Sequence, residues 1–429
     1  MTRLDRRTFL GGVAALPALG LSHSASAQAG GPLNVFGHRV MQTVSTGSQG
    51  GDITKPWSEK SGLAVQWTTF DVGPLQERLF REASLNETTV DVGFMLNTQA
   101  TPRVTQLFEP LDEYMKKDPI DAPDDVFAGL MQGMKVGGKL MAVPFRHASS
   151  GLHYNEQLLS EKGFSKPPET MEEVVAMAKA CSGPRDGGQP VVGLITPGVT
   201  YPNVIDIARA WDGDFITPDF KYVGDQPAML NAVKLLRDLF EAKAFPRNFA
   251  TLSPEDVNVW MQQGRAAISL QSMGRNRIYN DPQKSQFSGK IKTMAVPISA
   301  SLKSKYAVAP AKVEFWGLVI PKNAKRKDLS WSFIKAMLTK QATLGAALNG
   351  NGPVRNSTYE DAGFRSQVPY ADEERRVLKV ARVPLPAFDE ANRAGDFFKE
   401  EVEAAVLGLK KVEEAMASLG QRVKPLLPT

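Results

Sequence analysis

One stretch, from Lys135 to Glu173, restricts the folds open to this chain more than any other. Gly137-Gly138 lies between short apolar runs, which is typical of a tight hairpin turn that needs positive φ. Extended segments are predicted at Leu140–Phe145, where Pro144 ends the strand, and at Gly151–Asn155. Two strands joined by a polar connection of small residues predict that the chain crosses here from one domain to another.

A capped helix follows this crossing. Thr170 and Glu173 have the spacing of a capping box, and apolar residues continue at helical intervals as far as Cys181. Cys181 is the only cysteine, so an intramolecular disulfide and a cysteine-based metal site are both excluded. On the apolar face of a helix it is expected to be a buried, unreactive thiol.

The length of the chain also predicts two domains. At 429 residues it exceeds what one hydrophobic core usually fills. Leu33–Phe36 and Val90–Met95 are predicted strands, and Leu75–Ala83 between them has helical spacing. This alternation of strand and helix predicts an α/β fold with a mainly parallel sheet.

The N-terminus resembles an export signal. Arg6-Arg7 precedes a weakly apolar run, Gly11–Leu21, that is too short to span a bilayer as a retained helix. Ala25-Ser26-Ala27 offers a cleavage site and Ala27-Gln28-Ala29 a second one. We therefore expect residues 1–27 to be a signal peptide of the twin-arginine type, with the general export route left open by Asp5, and the mature protein to be periplasmic.

The charge of the mature chain argues against a nucleic-acid partner. The formal net charge is +5, of which the leader contributes +2, and the remaining +3 is not gathered in long basic runs. No cysteine follows the leader at a lipoprotein position, so we expect no stable membrane anchor.

The order GGKLMAVPF…LHYNEQLLSEKGFSKPPETMEEV resembles the family 1 extracellular solute-binding proteins, the maltose-binding-protein-like periplasmic receptors of ABC importers. In that family this stretch leaves the first lobe through a hinge and enters the second at a Tyr-Asn pair, here Tyr154-Asn155. The resemblance continues through Leu107–Met115, the Gln-x-Gly-Arg-Ala-Ala-Ile type run that ends at Ile268, Asn351–Arg355 and Val406–Leu419.

The resemblance implies a two-lobed periplasmic-binding-protein fold. Each lobe would be a mainly parallel sheet flanked by helices, and hinge crossings would join the two lobes. The implied boundaries are residues 28–143 and 270–324 for lobe 1, and residues 144–269 and 325–429 for lobe 2. The three crossings would lie near Pro144–Tyr154, Ser269–Arg275 and Ile320–Lys327.

Aromatic and polar side chains near these crossings are the candidate ligand contacts. A sugar ring has an apolar face and a rim of hydroxyls, so a receptor pairs stacking aromatics with hydrogen-bonding side chains, of which Gln99 is one candidate. Arginines in the same loops favour a second possibility, because guanidinium groups bind carboxylates and phosphates bidentately. The predicted ligand-binding set is Arg39, Asp71, Asn97, Arg146, His147, Tyr154, Asn155, Tyr201, Trp211, Met273, Arg275, Trp316 and Arg355.

Enzymatic signatures are weak. His38, His147 and His153 lack partners at metal-ligand spacing. Gly133 and Gly138-Lys139 match a phosphate-loop spacing, but Leu140 stands where Ser or Thr is required. We therefore predict no catalytic residues, no metal and no cofactor.

The predicted function is that of a monomeric substrate-binding component of an ABC importer, which delivers a small polar solute to a permease and its ATPase. A sugar or oligosaccharide is favoured, and an anionic ligand such as a sugar acid or phosphorylated polyol is the alternative. An exported carbohydrate-active hydrolase is a further alternative, which needs Asp71 paired with a second carboxyl across one cleft. A sensing role is not separated from uptake by the sequence.

Overall fold

A computed structural model describes residues 31–428, and the predicted signal peptide with both cleavage sites lies outside the described residues. Within this range ten strands, β1 to β10, have the bounds Leu33–His38, Val65–Phe70, Val92–Leu96, Lys135–Val136, Lys139–Leu140, Val143–Asn155, Val192–Ile195, Ala266–Ser272, Ile291–Met294 and Val313–Val319.

Eighteen α-helices, α1 to α18, occur in the same range. Their bounds are Arg39–Ser45, Lys55–Ser61, Val72–Ser84, Pro102–Thr105, Asp112–Lys117, Ala128–Gln132, Glu156–Ser160, Met171–Cys181, Tyr201–Ala208, Pro227–Glu241, Pro254–Gln262, Arg275–Tyr279, Lys327–Met337, Lys340–Leu348, Ala362–Gln367, Ala371–Leu378, Ala391–Val406 and Val412–Val423. Among the described helices, none has the length and apolar character needed to span a bilayer.

The sheet confirms the α/β prediction. Its strand order is β2-β1-β3-β10-β6-β8-β7, and β9 also pairs with β6. Strands β1, β2 and β3 are parallel, as are β7 and β8, whereas β10 is antiparallel to its neighbours β3 and β6. Helices link the parallel strands, as crossover connections require.

Strand β6 is the element that joins the two lobes. Its first half pairs with β10, from Val143 to Ser149, and its second half pairs with β8, from Ser150 to Tyr154. The sequence predicted two strands, the first of them ended by Pro144, but β6 is continuous. Pro144 is tolerated because the β10 register shifts at Trp316/Gly317, directly beside it, and such an irregularity accommodates a residue without an N–H donor.

The hairpin and the helix cap confirm the local predictions. Strands β4 and β5 pair across Gly137 and Gly138, which have φ of 56° and 77°. The Thr170 hydroxyl accepts from the Glu173 N–H at 3.1 Å and caps α8. The Glu173 carboxylate accepts instead from the backbone N–H of Glu169, at 2.7 Å, so the reciprocal half of the box is shifted by one residue.

Two hydrophobic cores lie within the chain from Pro32 onward, one for each lobe. The first core draws buried side chains from residues 33–145 and 313–378. The second core draws them from residues 152–311 and 377–423. The fold is thus a two-lobed α/β architecture in which both lobes are discontinuous in sequence.

The core memberships correct the predicted crossing points. Residues 273–311 stay with the second core because β9 pairs with the second half of β6, Ile291 opposite Asn155. The chain returns at Lys312, immediately before β10 pairs with the first half of β6, and it crosses again near Arg382, which bridges to Lys312. Residues 324–378 therefore pack in the first core, where the sequence had placed residues 325–429 in lobe 2.

Gly193 in β7 is required by the close approach of helix α8. A Cβ atom at this position would lie 1.9 Å from the carbonyl oxygen of Ala178. We expect Gly193→Ala to lower the free energy of unfolding by about 1–3 kcal/mol, because the helix must move away from the strand. Urea denaturation measures this change.

A matched control is available in helix α3. A Cβ on Gly73 would have no atom within 4 Å. Gly73→Ala should be neutral or stabilising by up to about 1 kcal/mol, because alanine reduces the backbone entropy lost on folding. If Gly193→Ala behaves like this control, the close packing of α8 on β7 is contradicted.

Candidate ligand-binding site

The carboxyl ends of β1, β2 and β3 lie at the edge of the first lobe that faces the crossing of β6. Because the three strands are parallel, they bring His38, Asp71 and Asn97 to the same edge. His38 caps helix α1 by accepting the Val40 N–H at Nδ1, at 3.2 Å. The edge therefore presents polar side chains at the position where α/β sheets hold ligands.

Strands β6 and β10 contribute one shared face to this edge. Trp316 lies opposite Arg146 and Glu314 opposite Ala148, and all four are half-buried. Cross-strand partners point to the same side of a sheet, so these residues form one surface. The His38 ring stacks on Trp316 with centroids 6.4 Å apart and an interplanar angle of 28°.

Charged groups surround this aromatic pair. Arg39 Nη2 lies 3.6 Å from Asp71 Oδ1, and both side chains are about 70% exposed, 69% and 71% respectively. Burial lowers the pKa of His38, the Asp71 carboxylate opposes this, and Arg146 and Arg39 lower the pKa further. Asp71 is thus paired with a cation, rather than with the second carboxyl that a glycoside hydrolase needs.

A small cavity of about 200 Å³ lies between residues of the two cores. The first-lobe side includes Thr98, Gln99 and Arg103, and the second-lobe side includes Phe388 and Asp389. Arg103 Nε lies 3.9 Å from Asp389 Oδ1 across it. Leu96, two residues before Thr98, pairs with Trp316, so the cavity and the Trp316 surface are both at the carboxyl end of β3.

Three further predicted residues, Tyr201, Trp211 and Arg275, belong to the second lobe. Tyr201 at the start of α9 is half-buried, and burial raises its pKa, with the nearby Glu314 carboxylate adding to the effect. Trp211 is half-buried against the second core. Arg275 at the start of α12 lies 4.0 Å from the Glu255 carboxylate.

Tyr154 and Asn155, which are also in the predicted ligand set, lie away from the Trp316 surface. They occupy the far end of β6, where a separate cavity of about 770 Å³ is lined by Tyr154, Phe164 and Lys290 among others. Asn155 is buried and caps helix α7 by accepting the N–H groups of Gln157 and Leu158 at 3.1 and 3.2 Å. The larger cavity is thus remote from the Trp316 surface.

Four further residues of the predicted set are buried and form contacts within the protein. Asn97 accepts the Phe315 N–H at 2.9 Å, and Met273 is fully buried against Gly151. His147 Nε2 lies 3.0 Å from the Tyr359 hydroxyl, on the face of β6 opposite Arg146. Arg355 is fully buried and donates to backbone carbonyls of the first lobe.

A sequence model of the bacterial extracellular solute-binding protein family matches residues 51–344, more than half of the chain. The chain belongs to this family. Its two lobes are each discontinuous in sequence, and polar and aromatic residues lie where the strands end.

Two curated relatives of this solute-binding protein extend the match. A probable ABC transporter-binding protein of Deinococcus radiodurans is 27% identical over 64% of this chain and 66% of its own length. A probable amino-acid ABC transporter periplasmic-binding protein of Sinorhizobium fredii is 22% identical over 99% of this chain and 98% of its own length.

Solved structures of solute-binding proteins share the fold. The sugar-binding protein MalE of Xanthomonas citri superposes with a TM-score of 0.78 at 20% identity, over 92% of this chain and 97% of that one. A solute-binding protein of Agrobacterium radiobacter K84 in complex with ribitol superposes with a TM-score of 0.73 at 19% identity, over 92% of this chain and 99% of that one.

Several residues of the solute-binding protein's candidate site were not in the predicted set. His38 was considered as a metal ligand and as one of several basic residues in loops near the cleft, but it was not included in the set, and Arg103, Phe388 and Asp389 were not singled out. Phe388-Asp389 follows a proline-rich segment and precedes α17. An aromatic-acid pair in such a loop is the signal that a search for sugar contacts could have used.

Among residues 31–428, no group of three or more His, Cys, Asp or Glu side chains is placed to hold a metal ion.

Proposed function

We propose that this protein is the periplasmic substrate-binding component of an ABC importer. It binds a sugar or polyol between its two lobes and delivers it to the permease. It acts as a monomer, is exported by its twin-arginine-like leader, and makes no covalent change to the ligand.

The observation that supports this proposal is the surface formed by Trp316, His38 and Arg146. It combines an aromatic face with hydrogen-bonding and charged groups, which is the chemistry that a ring or chain of hydroxyls requires. The names of the relatives support ABC transport, and the sugar-binding and ribitol-bound neighbours support the ligand class.

The two-lobed fold supports ligand-driven closure. Residues from both cores line the cavity at Arg103 and Asp389, so a ligand held there contacts both lobes at once. Contacts that exist together only in the closed state shift the population toward that state. The closed form is the one presented to the permease.

Ligand-dependent thermal stabilisation tests the proposal. A ligand that binds only the folded protein raises its melting temperature with concentration. The panel contains sugars, polyols, their acids and phosphate esters, and amino acids. Stabilisation by sugars or polyols supports the proposal; stabilisation by amino acids alone overturns the ligand class, and a response to none of them overturns the receptor function.

Trp316 should contribute strongly to affinity for the stabilising ligand. We expect Trp316→Ala to weaken binding at least about tenfold, because a central aromatic contact is lost. Trp316→Phe keeps a stacking face and should restore most of the affinity. Isothermal titration calorimetry measures both, and equal affinity in wild type and Trp316→Ala would place the ligand elsewhere.

A further inference from the structure

Arg146 is a half-buried cation that lacks a carboxylate partner. Its Nη1 donates to Asn351 Oδ1 at 3.0 Å and to the Gly350 carbonyl at 3.4 Å. Asn351 is itself fixed, because its Nδ2 donates to the Phe145 carbonyl at 2.9 Å. Within residues 31–428 no carboxylate lies within ion-pair distance of Arg146, and most of its five N–H donors remain available.

Arg277 approaches the same point from the second lobe. It lies on helix α12 and is exposed. A Cβ atom on Gly350 would lie 3.9 Å from Arg277 Nη1, so this guanidinium and that of Arg146 meet at one glycine. In the part of the chain that the structure describes, Arg277 also has no ion-pair partner.

Tyr370 adds a hydroxyl to the two guanidinium groups. A Cβ atom on Gly274 would lie 4.0 Å from the Tyr370 hydroxyl and 3.8 Å from Ser272 Oγ. Burial and the Glu374 carboxylate raise the pKa of Tyr370, whereas Arg146 and Arg277 both lower it. Gly274 directly precedes helix α12, so the Tyr370 hydroxyl lies beside the start of the helix that carries Arg277.

The nearest acid does not neutralise this pair of cations. Glu374 is buried, and its two oxygens accept hydrogen bonds from Ser149 Oγ and the Tyr359 hydroxyl, both at 2.9 Å. Its oxygens are thus occupied, and within residues 31–428 it forms no ion pair with Arg146 or Arg277, which leaves a local excess of positive charge.

We propose that Arg146, Arg277 and Tyr370 form an anion-binding subsite that takes a carboxylate or phosphate group of the transported solute. This inference rests on the proposed function and narrows its ligand class to a sugar acid or a phosphorylated polyol. Two guanidinium groups supply the planar, charge-assisted hydrogen bonds that such anions require. Gly274 and Gly350 leave the space that a side chain would otherwise fill.

The subsite would also couple ligand charge to closure. Arg146 lies on the strand that joins the lobes, Gly350 belongs to the segment that follows α14 in the first lobe, and Arg277 belongs to the second lobe. An anion held by both arginines bridges the lobes. It also relieves the repulsion between two like charges that approach each other on closure.

Matched pairs of ligands test the subsite on the mature, full-length chain. The panel pairs each neutral polyol or sugar with its acid and its phosphate ester, for example ribitol with ribonate and with ribitol 5-phosphate, and includes inorganic phosphate alone. We expect an anionic member to bind at least about tenfold more tightly than its neutral partner, with affinity that falls as salt is raised. Carboxylate and phosphate members distinguish the two sources of the anion.

Two variants assign the effect to the arginines. We expect Arg277→Gln to weaken binding of the anion about tenfold, and Arg146→Gln about 30-fold or more because Arg146 is less exposed. Arg277→Gln should not change affinity for the neutral partner by more than about threefold. Arg185→Gln, which removes a guanidinium paired with Glu161 on the other side of the second lobe, is the control and should leave both affinities unchanged.

The outcomes separate this inference from the proposed function. If neutral polyols bind as tightly as their anionic partners, or if anion affinity is unchanged in Arg277→Gln and Arg146→Gln, the subsite is overturned while the receptor function stands. If no member of the panel binds, the receptor function and the subsite both fall.

Discussion

Replacing Arg355 by alanine should lower the free energy of unfolding by about 3–5 kcal/mol, because it leaves buried carbonyls without their donor and removes the cation beside the Asp125 carboxylate. The Arg355 side chain is fully buried. Nε and Nη1 donate to the Leu338 and Ala122 carbonyls at 3.1 and 2.8 Å, and Nη1 lies 3.4 Å from the Asp125 carboxylate. These contacts join segments far apart in sequence, so their loss should destabilise the whole first lobe.

Urea denaturation followed by circular dichroism measures this loss. Arg375→Ala is the matched control, because Arg375 pairs with Glu360 with side chains 24% and 59% exposed. A pair of this kind contributes about 0–1 kcal/mol. If Arg355→Ala unfolds at the same urea concentration as wild type and yet loses ligand affinity, Arg355 belongs to the ligand set after all.

Arg355 also illustrates why the candidate site was only partly predictable. In sequence it resembles Arg146, since both arginines follow a proline by two residues. The structure separates them: Arg355 is enclosed by carbonyl groups of its own lobe, whereas Arg146 faces the crossing between lobes. Burial of a loop residue depends on distant segments, which a local pattern does not contain.

Features set by local chemistry were predictable. The Gly137-Gly138 turn and the Thr170 cap depend on φ preferences and on spacing within a few residues. The alternation of strands and helices likewise predicted the α/β class. These features need no knowledge of which lobe a segment joins.

Features set by pairing over long distances were not predictable. The contact between His38 and Trp316 requires β10 to lie between β3 and β6, an arrangement that no local pattern specifies. The crossing at Lys312 has the same origin, because it depends on β9 pairing with the far half of β6. The sequence predicted this crossing at the end of β8, but there Ser272 pairs with Ser150 of β6 and the chain stays in the second lobe.

Two buried histidines should make the protein sensitive to mild acid. Burial lowers the pKa of His147 from 6.5 to about 3 and that of His153 to about 4. His147 Nε2 lies 3.0 Å from the Tyr359 hydroxyl, and His153 Nδ1 lies 2.7 Å from Thr293 Oγ1. Both side chains lie in β6, the strand shared by the two lobes.

The sign of the effect follows from the direction of these shifts. Below pH 6.5 the unfolded chain binds protons at both histidines, whereas the folded chain does not until the pH approaches 4 or 3. The stability that the folded protein has with these two histidines neutral is therefore complete above pH 6.5, and it is lost as the pH falls. At about pH 5 each histidine should lower the free energy of unfolding by about 2 kcal/mol relative to its value at neutral pH, so the two together should lower it by about 4 kcal/mol.

Glu374 acts in the opposite direction and must be separated from the histidines. Burial raises its pKa, so acidification protonates it in the folded state and stabilises that state. It bonds to Tyr359, which also contacts His147, whereas His153 has no such acid among its hydrogen-bond partners. His153→Gln therefore tests the histidine whose effect on stability is not offset by a neighbouring acid.

The measurement is the free energy of unfolding at about pH 7.5 and about pH 5, by urea denaturation of wild type and His153→Gln. We expect the loss on acidification to be about 2 kcal/mol smaller in the variant, because glutamine does not titrate. His38→Gln serves as the control: His38 is only half-buried, so its replacement should change the acid sensitivity less. If His153→Gln loses as much stability at the lower pH as wild type does, His153 is not held neutral by burial, and the acid sensitivity of the hinge strand must arise from His147 against the opposing effect of Glu374.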